Sequence, residues 1–184
     1  MNSGEAQKPA HGTERTPTEK HSAERVPAAK NTRVILATVH SDAHMWNLVF
    51  LQMLLEEHGC TVHNLGQCTP VKTVRDAAVA ERPELIVISS VNGHAHLDAL
   101  PLIECLRAEP ALDDTRIIIG GKLGIQGKAD TERNERLVEA GFNAVIESSD
   151  NPSASQLLLE LVSERPRSEQ LVPGQPRPRQ LQGS

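Results

Sequence analysis

The stretch HSDAHMWN (residues 40–47) sets an acid, Asp42, two positions before a histidine, His44, with His40 just upstream. A neutral imidazole offers one lone-pair nitrogen, a good donor to a transition metal. A carboxylate on the other ring nitrogen fixes the tautomer and raises the donor's basicity. One histidine alone holds a free ion poorly. It suits the axial position of a metal already held in a macrocycle. The plainer alternative is a helix cap with a solvent-facing neighbour.

The pair lies where a strand gives way to a helix. RVILATV (33–39) is a β-branched run suited to a strand buried on both faces. Residues 45–58 place Leu48, Leu51 and Leu55 with Phe50, Met53 and Leu54 on one broad helical face, and Gly59 is a stop. The alternation continues with strands at 60–65, 84–90, 115–121 and 143–147. Helices are expected at 71–81, 97–108, 131–140 and 153–164, the last capped by Ser153. In the helix at 97–108, Leu97, Leu100, Ile103 and Leu106 are spaced for burial. Five such units predict an α/β fold, a doubly wound five-stranded parallel sheet of flavodoxin-like type. Ligands bind such sheets outside the carboxyl ends of the strands. The residues there are His40 to His44, then Gly66 to Thr69, then Ser89, Ser90, Val91, Asn92, Gly93, His94 and His96. Gly120 to Gly124 follow the fourth strand, and Ser148 to Asp150 the fifth.

That list excludes several chemistries. A phosphoacceptor receiver needs an acid ending its third strand, and Ser89-Ser90 stands there. The first turn has no glycine for a dinucleotide fingerprint, and neither a P-loop nor G-x-S-x-G occurs. One Trp, two Phe and no Tyr make a poor flavin site.

Composition bounds the rest. Residues 1–32 and 165–184 are rich in Pro and polar residues, and both are expected to be disordered tails around a domain at 33–164. That domain carries 10 basic and 19 acidic residues, which argues against nucleic acid as a partner. Cys60, Cys68 and Cys105 form no C-x-x-C pair and suit no disulfide framework, so reduced thiols and a cytoplasmic location are expected. No secretory signal and no membrane-spanning run is present. His94 and His96 read as rim or surface histidines rather than a second metal site.

The motifs taken in order resemble those of cobalamin-binding domains. S-D-A-H-M-W-N is similar to their D-x-H-x-x-G, Ser89-Ser90-Val91 to their S-x-L, and Gly120-Gly121 to their G-G. IIIGGKLGIQGK (117–128) and SSVNGHAHLD (89–98) resemble the small subunit of glutamate mutase (methylaspartate mutase). The resemblance covers about residues 33–150. It implies adenosylcobalamin bound with its own base displaced. His44 is then the lower axial ligand to cobalt and Asp42 its hydrogen-bond partner. The nucleotide tail lies in a slot between the sheet and the first helix. Ser89 contacts the tail base, Val91 lines the slot, and Ser90 and Gly93 complete its rim. Gly120 and Gly121 let backbone lie close to the tail. It further implies a larger barrel-fold catalytic subunit as partner. The pair would rearrange glutamate to 3-methylaspartate, with no substrate-contacting catalytic acid or base in this chain and no activity without the partner.

One position departs from the motif. Asn47 occupies the place of the glycine, and its side chain either crowds the tail or bonds to it. Two other functions fit the same motifs: a cobalamin module for another mutase or for methyl transfer, and a non-catalytic cobalamin-dependent regulator. Methyl-transfer modules usually carry a helical cap domain ahead of the motif, and only 32 residues precede the first strand here.

Overall fold

The computed structural model describes residues 31–93, 95–123, 128–147 and 153–163, without the side chains of 128–130. The elements run β1 (Arg33–Thr38), α1 (Met45–Glu57), β2 (Thr61–Asn64), α2 (Val71–Glu81), β3 (Leu85–Ser90), α3 (Ala95–Arg107), β4 (Arg116–Gly121), α4 (Lys128–Glu139), β5 (Ala144–Glu147) and α5 (Ala154–Ser163). A 3-10 turn, Pro110–Leu112, joins α3 to β4 and was not anticipated. Ser153 stands directly before α5, and its carbonyl accepts the Leu157 N–H. Residues 1–30 of the expected tail at 1–32 and the whole expected tail at 165–184, together with His94, Gly124 and Ser148 to Asp150, lie outside the described residues.

All five strands are parallel, in the order β2-β1-β3-β4-β5. The expected doubly wound architecture is therefore the observed one. Crossovers in parallel sheets are right-handed, so crossovers that step along the sheet in opposite directions put their helices on opposite faces. The β1-to-β2 step runs one way and every later step the other. Accordingly α2, α3 and α4 cover one face, where Val74, Ala78, Ala99, Ile103, Leu106 and Leu137 pack on Ile35, Ile86 and Ile117. On the other face Leu48 and Leu55 of α1 join Leu158 and Val162 of α5 over Val34, Leu36, Val87 and Ile118. The six residues of β3 are all buried, as a central strand covered on both faces requires. Among the described residues no helix is long and apolar enough to cross a membrane.

Two expectations fail locally. Phe50 and Met53, expected in the core, are exposed, as are Met45, Trp46 and Val49 of the same helix. Helix α1 is apolar on nearly every side, so periodicity could not tell which stripe would face the sheet. Leu97 is also exposed, because α3 starts two residues earlier than expected and its buried stripe runs through Ala95, Ala99, Leu102, Ile103 and Leu106.

Candidate functional site

The reversal of strand order falls between β1 and β3, so the loops after these strands meet at the edge where parallel sheets bind ligands. The loop after β1 holds Asp42 and His44. The loop after β3 begins with Val91.

Asp42 is 1% exposed, and nothing about it is loose. Its backbone N–H donates to the Val39 carbonyl at 3.0 Å, and its carbonyl accepts from the Thr38 hydroxyl and the Cys68 N–H, each at 2.9 Å. Its carboxylate divides between two loops. Oδ2 accepts the Val91 N–H at 2.5 Å. Oδ1 accepts the His44 N–H at 2.9 Å and sits 2.7 Å from His44 Nδ1. Burial pushes the Asp42 carboxyl up, but the backbone N–H groups of Val91 and His44 and the His44 ring outweigh it, and the pKa falls below its ordinary value. An ionised carboxylate only accepts, so Nδ1 carries a proton, and in the neutral ring Nε2 carries the lone pair.

That lone pair points away from the protein's own groups. The His44 side chain is 58% exposed, and among the described residues Nε2 makes no hydrogen bond. No cluster of three or more His, Cys, Asp or Glu side chains gathers among the described residues. His44 is thus a single, oriented nitrogen donor. The loop is held from the α3 side as well: Asn92 Nδ2 donates to the Ser41 carbonyl at 3.1 Å and to its hydroxyl at 2.8 Å, and Ser41 Oγ donates to Asp98.

Beside this donor the sheet has a gap. The row Thr38, Ser89, Gly120, Ile146 crosses it at the carboxyl edge, facing α1 and α5. Gly120 contributes no side chain to that row. A cavity of roughly 100 Å³, room for several waters, lies there. Its walls include Asn47 and Phe50 of α1, Val87 and Ile118 below, and Ala154 and Leu158 of α5. A methyl group built on Gly120 would sit 3.3 Å from the Ile146 carbonyl and intrude on the space. Gly121 is glycine for a different reason. Its φ is +127°, and a Cβ would lie 2.0 Å from the Ser90 carbonyl, so the sheet itself forbids a side chain.

The expected site residues therefore gather at one edge with different parts to play. Asp42, His44 and the Val91 amide form the donor. Asn47, Gly120 and Gly121 line the slot, and Asn47 Nδ2 donates to Ser89 Oγ at 2.5 Å. Val91 is not among the lining residues; it acts through its backbone. Ser90 is buried and its hydroxyl donates to Asn92 Oδ1 at 3.2 Å. Gly93, at φ +76°, donates its N–H to the Lys122 carbonyl at 3.2 Å, tying the β3 and β4 loops together. Sequence reasoning missed the α5 wall and the Thr38 and Cys68 braces. α5 follows the last described strand and makes no crossover, so the handedness rule does not assign its face, and the braces leave no trace in residue type.

A family model described as the B12 binding domain matches residues 32–146, more than half of the chain, and spans both the Asp42–His44 loop and Gly120-Gly121. The protein belongs to the B12-binding domain family. Within this family it is 35% identical over 120 residues to the glutamate mutase sigma subunit of Halobacterium salinarum, covering 65% of this chain and 78% of that one. Among solved structures it is similar to a cobalamin-binding protein from Desulfitobacterium hafniense, at 27% identity and TM-score 0.55 over 71% of this chain and 58% of that one. The monomethylamine corrinoid protein of Methanosarcina barkeri shares the fold, with TM-score 0.57 at 20% identity over 70% of this chain and 57% of that one. This chain thus spans little more than half of either structure.

Proposed function

We propose that this B12-binding protein is the cofactor-carrying subunit of a glutamate mutase-type isomerase, binding adenosylcobalamin with the cofactor's own base displaced. One observation carries the reading: a buried carboxylate, pinned by the Val91 amide, holds His44 by Nδ1 and leaves Nε2 as a free donor beside an apolar slot. The residues fit the group. A corrin supplies four equatorial nitrogens and leaves the axial position for one imidazole, and the Gly120 gap gives a detached tail somewhere to lie.

In this reading His44 Nε2 is the lower ligand to cobalt, and Asp42 keeps its ring oriented and electron-rich. Ser89, Gly120 and Gly121 receive the tail, with Asn47 on the slot's α1 wall and Ser90, Val91 and Gly93 shaping the rim. When bound, adenosylcobalamin would supply radical chemistry. This chain contributes binding, orientation and exclusion of water. A larger barrel-fold subunit holds glutamate and completes the enzyme, and neither subunit isomerises glutamate alone. The relationship to the Halobacterium sigma subunit supports that assignment over methyl transfer or regulation.

Titrating the full chain with hydroxocobalamin is expected to convert the visible spectrum to the base-off, histidine-ligated form. His44→Ala is expected to abolish that conversion and leave the fold intact. Adding the barrel subunit with adenosylcobalamin is expected to give 3-methylaspartate from glutamate. A wild-type spectrum that stays base-on at high micromolar protein would refute the reading.

A further inference from the structure

The slot beside His44 is partly closed by a residue of its own wall. Asn47 stands in the first turn of α1, on the cavity lining, and its amide crosses from the helix to the end of β3 to reach Ser89 Oγ at 2.5 Å. Ser89 is 2% exposed and lies in the sheet row that the Gly120 gap interrupts. The bond therefore ties helix to sheet across the space between them. A glycine at 47 would supply neither the amide nor the Cβ.

Resting on the cobalamin reading, we propose that Asn47 is a latch on the slot, which disfavours corrinoids carrying a bulky nucleotide tail relative to corrinoids carrying none. A tail that enters between α1 and the sheet must displace the Asn47 amide and break its bond to Ser89. A tail-less corrinoid meets His44 without disturbing either group. Asn47 is thus a specificity-determining residue that acts on the tail and not on the metal. Net hydrogen-bond energies in proteins correspond to affinity changes of several-fold to about tenfold.

The test compares hydroxocobalamin with aquacobinamide, which lacks the nucleotide. The probes are titrated into the full-length wild type and into Asn47→Ala and Asn47→Gly, with Kd from calorimetry and ligation state from visible absorption. Alanine removes the amide and favours the helix, so it separates the latch from the helix weakening that glycine brings. The expected result is that both variants bind hydroxocobalamin about tenfold more tightly, with a larger base-off fraction, while aquacobinamide affinity stays within twofold. Unchanged or weaker hydroxocobalamin binding by Asn47→Ala overturns the latch, the weaker result showing that the amide serves the tail. If cobinamide and cobalamin both leave the wild type and the variants unliganded, the cobalamin reading fails and the latch falls with it. If both bind in the same ratio in all three proteins, only the latch fails.

Discussion

Asp42 does two jobs with one carboxylate. It orients a histidine, and it joins the β1 and β3 loops through the Val91 amide. An asparagine has one accepting oxygen where the carboxylate has two, so Asp42→Asn would turn an NH2 group toward an N–H donor. We expect that variant to lose roughly 2–3 kcal/mol of unfolding free energy in urea denaturation. The acid limb of the stability curve should change as well. Folding lowers the Asp42 pKa from its ordinary 3.8, so its contribution is full above that value and is lost as acid titrates the folded carboxyl. Asp42→Asn should flatten that part of the curve. A stability profile identical to wild type would show that the carboxylate carries no such weight. The two neighbouring glycines should separate in the same assay. Gly121→Ala puts a Cβ on the Ser90 carbonyl at a positive φ, and roughly 3 kcal/mol or more should be lost. Gly120→Ala meets Ile146 only at 3.3–3.4 Å, so thermal unfolding should move little while the slot narrows and hydroxocobalamin binding weakens. Equal effects of the two on stability would contradict their different surroundings.

At the scale of elements, the strands were legible because a central parallel strand carries a continuous apolar run, and LIVI (85–88) and III (117–119) are such runs. The chemistry of the first loop was legible too, since Asp42 and His44 declare themselves by type. What the sequence hid has physical reasons. The Val91 contribution is a backbone amide, whose direction no side chain encodes. The Asn47–Ser89 bond joins residues 42 apart in the chain, a tertiary fact. Helix α1 had too many apolar residues to reveal its inner stripe, so Phe50 and Met53 were misplaced. That inner stripe predicts an asymmetry among the apolar side chains of α1. Leu48→Ala and Leu55→Ala should each cost about 2–5 kcal/mol, while Met53→Ala, half exposed, should cost under about 1 kcal/mol in the same denaturation assay. Comparable losses at Met53 and Leu55 would mean the helix is turned differently on the sheet.

For the molecule as a whole, Cys60 offers an alkaline counterpart to Asp42. It is buried at the foot of α1, and burial pushes its thiol up from 9.0 to about 11. Folding then opposes ionisation, so the native state holds its proton where the unfolded chain has released it, and stability falls as pH climbs from 9.0 towards 11. The loss over that span should be roughly 2–3 kcal/mol, absent in Cys60→Ala. Native protein at pH 8 should meanwhile give its fastest thiol reaction at exposed Cys68 and none at Cys60 until it unfolds. A wild-type alkaline curve as flat as the variant's would remove the assignment. The chain also carries its own lamp. Its single indole, Trp46, sits 79% exposed two residues from His44, and corrins absorb where indole emits. Dimming of that one fluorophore should follow each cobalamin molecule as it arrives, with no label added.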